Sequence, residues 1–95
     1  MQKGIVYKIV DIRDATEIPL YVGSSADPKK RWNKHRSDSK NNPSTWNMYT
    51  REHGFDNFKM VKLEDVMIRY DETLTPEENK NILREAMKLL EESYR

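Results

Sequence analysis

One stretch of the chain, residues 20–36, combines residue types that can do chemistry with a spacing that brings them together. It begins as a short apolar strand, turns at Gly23 and two serines, and continues as a predicted helix. Helical spacing puts Arg31 and His35 one turn apart on the same face. An arginine offers a planar fork of donors that suits an oxyanion. The pattern therefore predicts that Tyr21, Arg31 and His35 gather at one end of the strand.

The predicted helix that follows the glycine is strongly basic. Between positions 27 and 40 it carries six basic residues against two acidic ones. A local basic face is what a polyanion such as DNA or RNA requires, even though the net charge of the whole chain is only +1. Charge alone favours the ordinary alternative, a solvated helix face. The basic residues that would contact a nucleic-acid backbone, beside the arginine already named, are Lys29, Lys30, Lys34 and Arg36.

Length and composition limit the alternatives. The 95 residues suffice for a single domain with one modest core, so we expect one domain over residues 1–95. With 35% charged residues and a mean hydropathy of −0.99, the chain has no apolar run long enough to span a membrane. The absence of cysteine excludes disulfides and thiolate zinc sites, and two histidines that are not spaced as a pair make structural zinc improbable. These features predict a cytoplasmic protein without a secretory signal.

Three segments have the composition of β-strands. Residues 4–12 are rich in β-branched side chains, and their alternation places Tyr7 with Ile5 and Ile9 on one face. A second strand is predicted at residues 19–23, and the short link between the two favours an antiparallel hairpin. A third strand is predicted at residues 58–63, with a weaker continuation beyond them.

Capping signals locate three helices. The first starts at Asp27, an N-cap residue that precedes a proline, and a polar loop is predicted after it at residues 37–44. The second runs from Ser44 to a stop at Gly54. The third begins with a capping box at Thr75. The resulting order, β-β-α-α-β-α, predicts a small α+β domain in which a three-stranded, mainly antiparallel sheet is flanked by three helices.

Two strand motifs and the helix after them resemble a known family. Val6-Tyr7-Lys8-Ile9, then Tyr21-Val22-Gly23, then Arg31 and His35 resemble the GIY-YIG nuclease domain, in particular the catalytic domains of phage and intron-encoded homing endonucleases. The later elements also follow the family's order. Two features depart from its pattern: Gly4 lies one position early in the first motif, and the sequence ends before an asparagine that family members usually carry.

The resemblance implies a metal-dependent endonuclease that hydrolyses DNA phosphodiester bonds. It implies that Arg31 binds the scissile phosphate and that Tyr7 or Tyr21 acts as general base or orients the attacking water. It further implies that His35 orients the arginine or the water. Glu85 is implied as the ligand of a single Mg²⁺ or Mn²⁺ ion.

Each of these assignments has a structural alternative. The tyrosines are also suited to a β-rich core, Gly23 to an ordinary turn, and Glu85 to an ion pair on the helix surface. The other acids of the last helix, Glu77, Glu78, Glu91 and Glu92, are expected to be solvated charges, with Glu92 the nearest rival to Glu85. For the two tryptophans, core packing is favoured over base stacking.

Two functions of different classes remain open from the sequence. The first is the endonuclease, with DNA as its partner, no membrane, and a further DNA-recognition domain or partner chain supplied elsewhere. The resemblance places it in a bacterial or phage-infected host cell. The second is a catalytically inactive GIY-YIG-like module that binds nucleic acid or protein without cutting.

Overall fold

The structure, a computed structural model, describes residues 1–95 and has an antiparallel sheet of three strands at its centre. The strands are β1 (Gln2–Asp11), β2 (Tyr21–Ser25) and β3 (Phe58–Ile68), and their order in the sheet is β2-β1-β3. Strand β1, in which β-branched side chains are most frequent, thus occupies the centre, where both of its edges are paired. The predicted α+β architecture is confirmed.

Three helices flank the sheet: α1 (Pro28–Asn41), α2 (Thr45–His53) and α3 (Pro76–Ser93). A short 3₁₀ turn, Phe55–Asn57, joins α2 to β3. The predicted N-caps are present, because Asp27, Ser44 and Thr75 each accept a hydrogen bond from a backbone N–H of the first helical turn. None of the helices is both long and apolar enough to cross a membrane.

The alternation of β1 divides the core between the two faces of the sheet. Val6 packs with Val66 of β3 and with Leu83 and Met87 of α3. Its neighbour Tyr7 packs on the opposite face, in the cluster that contacts α1 and α2. Since α3 covers one face and the other two helices cover the other, α1 and α3 can approach each other only around an edge of the sheet.

The bounds of α1 and β2 differ from the sequence-based prediction. The loop predicted from residue 37 is wrong over its first part, because α1 continues to Asn41. The hydroxyls of Ser39 on α1 and Thr50 on α2 are both buried and lie 2.7 Å apart, so a contact between the helices offsets the weak helix propensity of this polar run. Asn42 is the C-cap residue of α1, and its backbone N–H donates a hydrogen bond to the Asp38 carbonyl.

The second difference concerns β2, which begins and ends two residues later than predicted. Gly23 was predicted to form a turn, and this is wrong: it lies within β2 and pairs with Tyr7 of β1. The strand continues to Ser25, which pairs with Ile5. The register of the hairpin, which depends on the partner strand, decides this boundary.

Candidate active site

Four of the predicted site residues come together beside β2. Tyr7 on β1 and His35 on α1 are joined by a hydrogen bond of 2.8 Å between the tyrosine hydroxyl and Nε2 of the histidine. The ring of Tyr21 stacks against Tyr7 at 6.3 Å and meets the imidazole edge-on at 5.0 Å between centroids. Arg31, one turn before His35, lies near enough to influence the ionisation of both Tyr7 and His35. Strand alternation and helical spacing thus bring these side chains to one place.

Gly23 makes room for the tyrosines. A β-carbon at this position would lie 2.6 Å from the Tyr7 hydroxyl oxygen and 2.9 Å from Cε1 of Tyr21. Both distances are shorter than real contacts to carbon allow. The glycine is therefore required for close packing of the rings over the strand.

Burial determines the ionisation of the two hydrogen-bonded groups. The side chain of Tyr7 is fully buried, which raises its pKa well above the ordinary value, and the neighbouring Tyr21 raises it further; Arg31 opposes the shift. Burial likewise lowers the pKa of His35, and the positive charge of Arg31 adds to this effect. At neutral pH the pair is thus a neutral phenol bonded to a neutral imidazole.

A groove of about 390 Å³ opens at the edge of the sheet, between β2, the start of α1 and one side of α3. Tyr21, Gly23 and Arg31 line it, whereas Tyr7 and His35 are buried and do not line it. A molecule bound in the groove would contact Tyr21 and Arg31 directly. The buried pair would act on it only through these residues.

A carboxylate lies in the same groove, contributed by Glu91 of α3. One of its oxygens accepts a hydrogen bond of 2.8 Å from the Ser24 hydroxyl, and the other pairs with the guanidinium of Arg95. Only 15% of the Glu91 side chain is exposed. The expectation that Glu91 is a solvated helix charge is wrong, and sequence analysis missed both this residue and Ser24. No local signal separates Glu91 from the other acids of the helix.

Glu85, the predicted metal ligand, lies elsewhere on α3. It is exposed and does not line the groove. The groove is lined by pairs of α3 residues one turn apart, at positions 83 and 84, 87 and 88, and 91 and 92. Glu85 lies about 100° around the helix axis from Arg84, on the side away from Leu83, and so falls outside this stripe. The prediction that Glu85 lies beside Arg31 is therefore wrong. Glu92, named as its rival, does line the groove.

The predicted nucleic-acid contacts of α1 lie outside the groove. Lys29, Lys30, Lys34 and Arg36 are all exposed, and none lines the groove. The guanidinium of Arg36 lies 5.7 Å above the ring of Phe55. Their role in binding DNA stays a prediction.

Both tryptophans pack against the aromatic core. Trp46 of α2 stacks on Tyr21 at 5.5 Å between ring centroids, and Trp32 of α1 packs on Phe55 at 4.6 Å. Trp46 thereby supports the face of Tyr21 from the side of α2. These contacts match the packing role that the sequence favoured.

The donor set limits the kind of metal site that the groove can hold. No group of three or more histidine, aspartate or glutamate side chains is positioned to bind a metal ion. Mg²⁺ keeps several water ligands and needs as few as one protein carboxylate when substrate phosphates complete its shell. Glu91 and Glu92 offer that minimum in the groove. These carboxylates fit a weak, substrate-assisted site for a hard cation.

A comparison with known proteins identifies the family of the chain. The family model described as the GIY-YIG catalytic domain matches residues 3–81, and the chain belongs to this family of nuclease domains. The matched residues include the two tyrosines, Arg31 and His35, but neither Glu85 nor Glu91. No curated protein and no solved structure matches the chain.

Proposed function

We propose that this domain is a divalent-metal-dependent endonuclease that hydrolyses DNA phosphodiester bonds. The observation that carries the proposal is the groove itself, whose lining brings together Arg31, Tyr21 and the acidic residue Glu91. A guanidinium and a carboxylate with its cation are what a phosphodiester requires, since negative charge builds on the phosphoryl oxygens in the transition state. The resemblance to phage and intron-encoded homing endonucleases supports an enzyme of that type.

Arg31 binds the scissile phosphate in this proposal. Its planar fork can donate two parallel hydrogen bonds to phosphoryl oxygens, which a lysine does less well. Arg31 is partly buried in the groove wall, so its charge acts in a less polar environment than that of the exposed cations on α1.

Tyr21 is the tyrosine that orients the attacking water, because it lines the groove while Tyr7 does not. The raised pKa of Tyr7 suits it to act as a neutral hydroxyl that fixes His35 and supports Tyr21, not as a phenolate base. The water oxygen forms the new bond to phosphorus and releases a proton to the solvent of the open groove, while the bond to the leaving ester oxygen breaks and that oxygen takes up a proton from the same solvent. Tyr7 and His35 are thus positioning residues.

The carboxylates that would hold the cation are Glu91 and, beside it, Glu92. A bound Mg²⁺ or Mn²⁺ would supply Lewis-acid stabilisation of the phosphoryl and leaving oxygens. Ser24 and Arg95 each bond to one Glu91 oxygen in the structure, so a cation would use the remaining lone pairs or replace one of these partners.

A plasmid-nicking assay with Mg²⁺ or Mn²⁺ tests the proposal. We expect the wild type to convert supercoiled DNA to nicked and linear forms. In excess EDTA we expect no conversion. Arg31→Ala should lower the rate at least about 10²-fold, as loss of a charge-stabilising donor commonly does. Arg51→Ala is the matched control, because Arg51 is an exposed helical arginine outside the groove.

The same assay decides between the two carboxylates. Glu91→Gln should lose cleavage and Glu85→Gln should keep it, with binding to DNA in EDTA retained by both. The reverse result would restore the assignment made from the sequence. Wild-type protein that nicks no DNA in any divalent metal would overturn the proposal.

A second candidate function is a module that binds nucleic acid without cutting it. The observation that favours it is the engagement of both Glu91 oxygens by Ser24 and Arg95, which satisfies the charge of the carboxylate without a cation. For this function, wild-type protein would bind DNA equally well with and without Mg²⁺. Arg31→Ala would then weaken binding without any cleavage to lose.

A further inference from the structure

The side of α3 that faces the groove carries a row of positive charges. Lys80, Arg84 and Lys88 follow one another at intervals of four residues, and all three line the groove. Such spacing keeps side chains on one face of a helix. We name these three residues the α3 basic row. It lies on a helix whose overall composition is acidic, which is why the charge of the whole segment did not reveal it.

The charges of the α3 basic row are free. All three side chains are exposed, and none takes part in any ion pair of the structure. Like charges four residues apart on a helix repel one another, and a polyanion laid along the row would remove that repulsion. Across the whole groove, five cationic side chains accompany the two carboxylates of Glu91 and Glu92.

The length and direction of the row suit one strand of a nucleic acid. From Lys80 to Lys88 the helix rises about 12 Å, along which one strand of B-DNA presents about four phosphates. The row leads from the turn of α3 next to Glu91 toward the N-terminal half of the helix. Its C-terminal end therefore lies beside Glu91, which lines the same groove as Arg31.

The geometry points to the α3 basic row as the track for the DNA backbone: with the scissile phosphate at Arg31, the adjoining phosphates of the strand contact Lys88, Arg84 and Lys80 in turn. This inference rests on the proposed function for its choice of DNA as ligand. It differs from the expectation drawn from the sequence, in which the exposed lysines of α1 make the backbone contacts. None of those lysines shares the groove with Arg31.

Salt-dependent binding measures the number of phosphate contacts. Fluorescence anisotropy with a labelled duplex of about 30 base pairs, in EDTA, compares the wild type with two triple variants. One is Lys80→Ala, Arg84→Ala, Lys88→Ala, and the matched control on α1 is Lys29→Ala, Lys30→Ala, Lys34→Ala. Each removes three exposed helical charges, and alanine preserves the helix. Because the logarithm of the binding constant falls by about 0.9 per contact for each decade of salt, removal of three contacts reduces the slope by about 2.7.

The expected result is specific to the row. Between about 50 and about 200 mM salt, the wild type should lose about 40-fold more affinity than the α3 triple variant, as a slope change of this size requires. The α1 triple variant should keep most of the wild-type slope. An unchanged slope in the α3 variant, or equal reductions in both variants, overturns the inference.

Cross-linking gives an independent position for the DNA. The chain has no cysteine, so Arg84→Cys or Lys34→Cys introduces a unique thiol that a photoreactive aryl azide can label. We expect the label on the α3 site to cross-link the duplex at least several-fold more efficiently than the label on α1. The opposite preference overturns the track on α3. Because both experiments are done in EDTA, they report on the track even if the wild type proves unable to cut DNA with Mg²⁺, the failure that would remove the proposed function.

Discussion

Gly23→Ala is the substitution whose effect the structure defines most sharply. A β-carbon there would lie 2.6 Å from the Tyr7 hydroxyl oxygen, 2.8 Å from Cζ of the same ring and 2.9 Å from Cε1 of Tyr21. Tyr7 cannot move aside easily, because its ring is fully buried and its hydroxyl is bonded to His35. The backbone of Gly23 does not have a positive φ, so the whole penalty is steric.

The size of the penalty follows from what must move. Overpacking a buried site costs about 1–3 kcal/mol of unfolding free energy, which for a domain of this size lowers Tm by several degrees. A shift of about 1 Å in Tyr21 or Tyr7 is enough to lower the cleavage rate about 10²-fold. Urea unfolding followed by tryptophan fluorescence measures the first effect, since Trp46 stacks on Tyr21. Plasmid nicking with Mg²⁺ measures the second.

Gly4→Ala is the matched control for this prediction. Gly4 is also a buried strand glycine, and a β-carbon there would meet chiefly the sulfur of Met87, with a milder contact of 3.2 Å to the backbone oxygen of Ser25. A methionine side chain is flexible enough to give way, so we expect a smaller loss of stability and a nicking rate close to that of the wild type. The reasoning is refuted if Gly23→Ala unfolds and cleaves like the wild type, or if Gly4→Ala loses as much cleavage as Gly23→Ala.

Three further predictions concern the buried pair and the last helix. Tyr7→Phe leaves Nε2 of His35 without its partner and should lower the unfolding free energy by about 1–3 kcal/mol in urea titrations; an unchanged value would contradict the importance of this bond. Because the pKa of His35 is lowered, chiefly by burial, the unfolded chain binds a proton that the folded chain does not once the pH falls below about 6.5. Wild-type stability should therefore be complete above that pH and decline below it, and urea titrations should show a shallower decline in His35→Gln; parallel pH profiles would argue against the shift. Thr75→Ala removes the capping box of α3 and should cost about 1 kcal/mol by thermal unfolding while plasmid nicking persists; a loss of nicking under native conditions would assign the cap a role in the site.

The tyrosines, Arg31 and His35 were predictable because their positions depend on local geometry. Strand alternation fixes which face of β1 carries Tyr7, and helical spacing fixes the distance between Arg31 and His35. The caps at Asp27 and Thr75 are local in the same sense, since each bonds to its own first turn. Features of this kind are fully encoded within a few residues of sequence.

The misplaced boundaries depend on contacts between distant segments. Helix α1 extends to Asn41 because the hydroxyl of Ser39 contacts that of Thr50, a residue of the next helix. Composition alone predicts a loop for the same residues. The end of β2 is decided by its register with β1, in which Ser25 still pairs with Ile5. Gly23 illustrates the same point: its sequence context suggests a turn, and only the packed rings of Tyr7 and Tyr21 reveal why it must be glycine.

The choice between Glu85 and Glu91 could not be made from the sequence because it depends on which side of α3 faces the edge of the sheet. Leu83 and Met87 attach the helix to the face of the sheet opposite α1, so the only side of α3 that can reach Arg31 is the one that turns toward β2. That side carries both Glu91 and the α3 basic row. The carboxylate and the cations thus belong to one helical surface, and the rotation of α3 that presents one of them to the groove presents the other. A substitution that rotated α3, such as one that altered the packing of Leu83, should therefore weaken DNA binding and cleavage together, whereas Glu91→Gln should affect cleavage alone.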